Sequence, residues 1–405
     1  MLIRPEAPSS RPPRQLFGVP REIVMLGVVS FLTDVSSEAI FAVLPLFLTS
    51  VLGASPLVLG AMEGLADFAA SSLDMASGYV SDRLCKRKSI AVIGYVVSSA
   101  AKAVLLVAST AAQVVAFRVI ERLGKSIRGA PRDALLSGIA TKEERGASFG
   151  LHKAFDKSGA IVGPLVAYAF LDRFGHSLDA FHTLFAVALV PALASVAVLV
   201  FFVHEHAVAE GKSVRFCEAL RTFGPGYRHY LMSAGIFSFA YFSFAFLLLA
   251  ASRAGFEMKH VVLLYGLFNV SFTVVSVPIG RLSDRIGRRT VIAFSYVLYA
   301  LMATGFAVVH SKLGVALLFL VYGIFYAIDE GQTKAYVADL TPEETRATAI
   351  GTYGFVTALV YLPASLVAGA LWNAFGSQVT FGTAAAVALL ALVYLLAFEP
   401  RAATT

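Results

Sequence analysis

The sequence predicts an all-α membrane protein: twelve transmembrane helices in two pseudo-symmetric six-helix bundles. Composition is the first ground. Of 405 residues, 58% are hydrophobic and the mean hydropathy is +0.75, whereas in a soluble domain about half the residues are apolar. Second, apolar stretches of about 20 residues, the length that crosses a bilayer core, follow one another with short polar breaks. Third, one phrase occurs twice. Gly78-Tyr-Val-Ser-Asp82-Arg83-Leu-Cys85-Lys86-Arg87-Lys88 and Gly280-Arg-Leu-Ser-Asp284-Arg285-Ile-Gly287-Arg288-Arg289 share a pattern of glycine, acid, arginine and a basic cluster. Each copy sits between two long apolar stretches, about half a chain apart, as in a duplicated bundle with matching hinges.

In chain order, residues 1–21 read as a cytoplasmic tail, because Pro5 to Pro20 is polar and proline-rich and lacks the apolar core and cleavage site of a signal peptide. Six spans follow at 22–50, 55–80, 89–108, 112–136, 146–171 and 179–203, forming a first domain over 22–203. A cytoplasmic linker, 204–228, carries Glu205, Lys212, Arg215, Arg221, Pro225 and Arg228. The second domain, 229–398, holds spans at 229–252, 260–282, 289–309, 313–338, 346–374 and 378–398, and a cytoplasmic tail closes the chain at 399–405. A second pair of loops supports the duplication: Thr141-Lys-Glu143-Glu144-Arg145 corresponds to Thr341-Pro-Glu343-Glu344-Thr345-Arg346, each joining the fourth and fifth spans of its half.

Charge placement sets the orientation. One set of loops holds Arg83, Lys86, Arg87, Lys88, Lys142, Arg145, Lys212, Arg215, Arg285, Arg288 and Arg289; the other holds little beyond Arg173, Arg253, Lys259 and Lys312. Lysine and arginine collect on the cytoplasmic side of membrane proteins, so both termini and the linker are expected there. This accounts for the net charge of +7 and pI near 9.3 without nucleic acid as a partner. Cys85 and Cys217 fall in or beside cytoplasmic loops and are expected to be free thiols. No histidine or cysteine cluster has metal-ligand spacing, since His204 and His206 lie in the linker. No nucleophile–base or phosphate-loop motif marks an enzyme.

Ionisable groups inside spans are costly and need a partner, water or a role. The first half is rich in them. Asp34 and Glu38 are four apart on helix 1, and Glu63, Asp67 and Asp74 stack on one side of helix 2. Helix 4 carries Arg118, Glu121, Arg122, Lys125, Arg128, Arg132 and Asp133, and helix 5 adds His152, Lys153, Asp156 and Lys157. These must face the domain interior or an aqueous cavity. The second half offers Asp329 and Glu330 on helix 10, flanked by Phe325, Tyr326 and Tyr336, with Tyr241, Phe242, Phe244, Tyr265 and Asn269 on helices 7 and 8. Trp372 is expected to anchor at the membrane interface.

These residues carry a resemblance to the major facilitator superfamily of secondary transporters, particularly its bacterial drug/proton antiporters, over the whole chain beyond the N-terminal tail. The repeated phrase resembles that superfamily's signature between helices 2 and 3. The second copy is complete, and the first departs at Cys85, where glycine is usual. The resemblance implies gating roles for Gly78, Asp82, Arg83, Gly280, Asp284, Arg285 and Arg288, each aspartate docking near a helix terminus across the domain interface. Gly159-Ala-Ile-Val-Gly163-Pro164-Leu-Val-Ala167 is similar to the family's helix 5 antiporter motif, with alanine for the final glycine. Small residues at this spacing allow close helix approach and Pro164 a bend, so Gly159, Gly163 and Pro164 join the gating set. The equivalent stretch of helix 11 keeps Pro363 without both glycines. Arg118 falls on an arginine linked in the family to proton coupling, and Arg122 stands where glycine is usual.

An extra cation in a cavity suggests an anionic substrate, which arginine's planar fork suits. Alternatively, Arg118, Arg122 and Arg128 neutralise Asp34, Glu38 and Glu121 as structural ion pairs. Helices 1, 4, 7 and 10 line the family's central cavity, which here would be charged on one side and aromatic and polar on the other. The candidate substrate and proton site is Asp34, Glu38, Arg118, Glu121, Arg122, Arg128, Asp329, Glu330, Tyr241 and Asn269. The mechanism expected is alternating access in a monomer of a bacterial cytoplasmic membrane. A proton gradient serves as the coupling agent, and no cofactor is expected. Export of a small organic compound by antiport leads. Uptake of an anionic or metal-chelating compound such as a siderophore is the alternative, and a non-transporting receptor on the same scaffold is a third possibility.

Overall fold

A computed structural model describes residues 15–16, 19–84, 86–139, 145–205, 223–342 and 346–397, without the side chains of 15–19, 74–84, 137, 145–147, 277, 346 and 347. Twelve long helices run through it: α1 (Arg21–Phe41), α2 (Pro56–Leu84), α3 (Arg87–Val104), α4 (Ala111–Ile139), α5 (Arg145–Phe174), α6 (Leu178–Phe202), α7 in two segments (Pro225–Ala240 and Ala245–Arg253), α8 (Met258–Ile286), α9 (Arg288–Val308), α10 (Lys312–Asp339), α11 (Arg346–Phe375) and α12 (Ser377–Ala397). Among the described residues, nine helices are long and apolar enough to cross a membrane. The other three, α2, α4 and α5, match them in length at 29, 29 and 30 residues. They miss the apolar criterion because they carry most of the charges that the sequence places inside spans.

The duplication is visible in the packing. In the first half α1 packs on α5 and α6, α3 on α4 and α6, and α2 on α4; the second half repeats each pair six helices later. Two seams join the halves, α2 against α11 and α5 against α8, and the same shift exchanges one for the other. Turns repeat too. Gly53 and Gly255 have φ of +68° and +85° after the first helix of each half, and Gly175 and Gly376 have +79° and +85° after the fifth. Glycine tolerates this left-handed conformation without a Cβ penalty.

The first helix of each half is interrupted at an equivalent depth, which the predicted continuous spans 22–50 and 229–252 did not contain. α1 stops at Phe41 and resumes as Leu44–Leu46 and a π-turn, Phe47–Val51, with Pro45 in the resumed segment. α7 pauses at Tyr241 to Phe244 and restarts where the Ser243 hydroxyl accepts a hydrogen bond from Ala245 N at 3.1 Å. α7 also begins earlier than predicted, with Pro225 in its first turn, where a missing N–H costs nothing.

The C-terminal ends of α2, α4, α6, α8 and α10 lie at one end of the helices, here called the basic face for the predicted lysine and arginine bias. The first copy of the repeated phrase, Gly78, Asp82, Arg83 and Cys85, lies outside the described side chains, as do the 4–5 loop, Lys212, Arg215, Cys217, and Glu343 to Arg346.

Trp372 corrects a prediction. It is 1% exposed, packed between Phe246 and Phe381 with centroids 5.5 and 5.6 Å away, under the Arg253 guanidinium at 5.0 Å. A single tryptophan gave no periodicity to separate an interfacial ring from a core ring. Trp372→Ala is expected to cost about 3–5 kcal/mol, measured by denaturant unfolding in micelles, with Trp372→Phe recovering most of the loss.

Candidate substrate cavity

Between the halves lies a chamber of about 310 Å³. It shares Asp67, Tyr241, Tyr326 and Tyr361 with a second chamber of about 460 Å³, and Glu38, Lys125 and Tyr265 with a third of about 420 Å³. α1, α2 and α4 supply ionisable groups to the central chamber, and α7, α8, α10 and α11 supply rings. The walls are therefore as unlike as predicted, but α2, α8 and α11 join the four helices expected.

Two ion pairs, one helical turn apart, tie α4 to α2. Arg118 makes a bidentate contact to Glu63, at 3.0 and 2.9 Å, and its guanidinium lies 4.1 Å from the Phe41 ring centroid. Arg122 Nη2 meets Asp67 Oδ1 at 2.8 Å. Arg118 and Arg122 are thus held by the helix 2 acids; of the acids named in the alternative pairing, Glu121 lies 3.8 Å from Arg118, and Asp34 and Glu38 form no ion pair with either arginine among the described residues. Residues four apart on each helix form one stripe, and α2 turns its stripe onto that of α4. The first pair is closed, with side chains 8% exposed, and the second is open at 26% and 28%.

Glu121 is fully buried, 3.8 Å from Arg118, outside the chamber lining, and neither carboxylate oxygen has a hydrogen-bond donor among the described residues. Behind it stands Lys102 on α3, 1% exposed, whose Nζ donates to Ser36 and Ser37 Oγ at 2.6 and 3.0 Å. Sequence reasoning passed over Lys102, although a lone lysine deep in an apolar span is the signal that marks a buried polar network. Arg128 donates to Ser98 Oγ at 2.5 Å and stacks 4.5 Å from the Tyr95 ring centroid. It lines the third chamber with Asp34, Asn269 and Glu330. Asn269 Nδ2 donates to the Tyr265 carbonyl at 3.0 Å, and Asp329 faces the second chamber.

Contacts across the halves fall at three depths. Nearest the basic face, Glu330 of α10 lies 3.8 and 4.0 Å from Lys153 and Lys157 of α5. In the chamber, the Tyr265 hydroxyl of α8 donates to Glu38 of α1. At the opposite face, Lys259 reaches Asp172 at 2.7 Å, and α2 and α11 meet on glycine. A Cβ at Gly60 would stand 2.2 Å from the Ser365 carbonyl oxygen, and one at Gly369 would stand 2.7 Å from that of Pro56.

The helix 5 glycines face inward within their own half. Gly159 packs on Phe31 and Asp34 and Gly163 on Val35 and Glu38, while Pro164 meets Gly266 of α8 across the seam. In the second copy of the repeated phrase, Asp284 is 66% exposed and pairs with Arg288 at 3.4 Å. Arg288 continues to Asp339 at 2.6 Å and Gln332 at 3.2 Å, and Gly280 lies against Gln332. Asp284, Arg288 and Asp339 thus join α8, α9 and α10 inside one half. Among the described residues, Asp284 makes no ion pair across the domain interface. Arg285 is exposed.

The sequence of these two bundles matches the Major Facilitator Superfamily over residues 26–260 and 249–405. The chain belongs to the Major Facilitator Superfamily. A relative described as an uncharacterised MFS-type transporter of Methanocaldococcus jannaschii is 36% identical over 382 residues, covering 93% of this chain and 94% of the relative. An uncharacterised Mycobacterium tuberculosis protein is 27% identical over 399 residues, covering 95% and 94%. Among solved structures, nucleoside transporter NupG superposes with a TM-score of 0.76 at 15% identity, covering 94% of this chain and all of the other. A POT family transporter in complex with 5-aminolevulinic acid gives 0.79 at 13%, covering 96% and 98%. At these identities the superpositions establish the superfamily fold alone. The protein is a multi-pass membrane transporter, not an enzyme.

Proposed function

We propose that this protein is a proton-coupled transporter that works by alternating access, exporting a small organic compound in exchange for protons. The observation that carries the coupling is the contact between Glu38 and the Tyr265 hydroxyl, which spans the two bundles inside the cavity. An ionised carboxylate accepts this bond strongly, and protonation weakens it. Proton binding at Glu38 would thereby bias the bundles toward parting. Glu330, held by two lysines of the other bundle, is placed to do the same, and Asp34, one turn from Glu38, lines the adjoining chamber. Glu121, sealed behind Arg118, is left to position that arginine.

The helix 5 motif favours export. Anion uptake loses its main support, because Arg118 and Arg122 already hold carboxylates. The site is complete within one chain, consistent with a working monomer. The reading places the basic loops and both termini in the cytoplasm of a bacterial cell. Glu38→Gln tests the coupling in proteoliposomes: flux driven by a pH gradient should fall to background while substrate counterflow persists. Retention of gradient-driven flux would remove Glu38 as the proton carrier.

A further inference from the structure

We propose that the central chamber selects an aromatic zwitterion, a compound with one carboxylate, one ammonium and a flat ring; this rests on the chamber being the transport site. The open pair Arg122–Asp67 is the template. Its closed neighbour, Arg118–Glu63, is bidentate, stacked on Phe41 and 8% exposed, with Arg118 Nη1 turned inward 3.8 Å from Glu121, so a ligand has little of it to reach. Arg122 instead makes a single contact to Asp67, and its buried Nε finds no hydrogen-bond acceptor among the described residues. Lys125, exposed one turn further along α4, lines the same chamber.

A ligand carboxylate in the chamber reaches the accessible part of the Arg122 guanidinium, which is about a quarter exposed. In doing so it competes with Asp67, whose own carboxylate then needs a cation. A simple anion leaves that acid uncompensated in a partly buried site, and a simple cation at Asp67 strands Arg122 in the same way. A zwitterion inserted between them answers both charges. The facing wall defines the remainder of the molecule. Phe244 and Tyr322 lie 5.2 Å apart between centroids, Tyr241 and Tyr361 6.2 Å, and all four line the chamber. Rings so spaced offer edges and faces to another ring.

Calorimetric titration of the purified full-length protein with four probes tests this: phenylalanine, phenylpropionate, phenethylamine and alanine. Phenylalanine is expected to bind about tenfold or more tightly than each of the others, a conservative margin for one stranded charge or one lost ring. Asp67→Asn should move the preference to phenylpropionate, and Arg122→Gln to phenethylamine. If either variant fails to fold, the ranking on the unaltered protein still decides. Equal or tighter binding of a singly charged probe, or no binding by any probe, overturns the proposal. Counterflow of the same probes separates the two readings. Phenylalanine that binds without counterflow retains the site and removes the transport role. Counterflow of phenylpropionate alone retains transport and removes the zwitterion.

Discussion

Arg118→Met is expected to destabilise the protein by about 3–5 kcal/mol, because it strands a carboxylate in a buried site. Glu63 is 6% exposed, and both its oxygens are occupied by Arg118. The substitution also uncovers Glu121, whose nearest described cation is Arg118 at 3.8 Å. Adding Glu63→Gln removes the charge that Arg118 had paired bidentately and should recover part of the loss, with Glu121 still uncovered, since a pair deleted together costs less than half a pair. Unfolding in micelles by denaturant or heat reads both variants. A single substitution without effect, or a double variant as unstable as the single, would show that the pair does not hold α4 to α2.

Gly60→Leu is expected to keep the fold and lose transport. The added Cβ would start 2.2 Å from a backbone carbonyl on α11, and a backbone atom cannot rotate away as a side-chain end can. The relief available is to part α2 from α11 at the face opposite the basic loops, which disfavours the conformation described here. Overpacking of this kind costs about 1–3 kcal/mol, a factor of about 5 to 150 in the population of two states. A single cysteine at Ser365, fully buried in this seam, reports the result in a background free of Cys85 and Cys217. It should resist a membrane-impermeant maleimide in the parent and react in Gly60→Leu. Equal protection in both would mean that the seam accommodates a side chain and is not a gate.

The sequence carried the duplication and the charge segregation because both are written in local spacing. Asp82 and Asp284 are 202 residues apart, and so are Gly53 and Gly255, the turn glycines that the structure adds. The stripes Glu63–Asp67 and Arg118–Arg122 were equally visible, each four apart on its helix. Which acid meets which arginine was not, because that depends on how two helices whose paired residues are 55 apart are rotated about their axes. Asp34 and Glu38 had the same spacing and the same claim on Arg118.

Other misses have different causes. The breaks at Ala42–Val43 and Tyr241–Phe244 lie inside runs apolar enough to read as continuous helix, and only Pro45 hinted at one of them. Lys102 is stabilised by two serines of another helix, and hydroxyl partners leave no charge pattern in the sequence. Trp372 reads the same whether its neighbours are lipid headgroups or Phe246 and Phe381.

The central claim is that the two bundles alternately open this cavity to opposite faces. Electron–electron distance measurements on two spin-labelled pairs test it most directly. One pair sits at exposed Lys86 and Arg285 on the basic face, and the other at exposed Ser109 and Ser311 on the opposite face. On titrating pH, with and without substrate, the account predicts that the basic-face distance shortens as the opposite-face distance lengthens. Two distances that stay fixed, or that change together in the same sense, would contradict it.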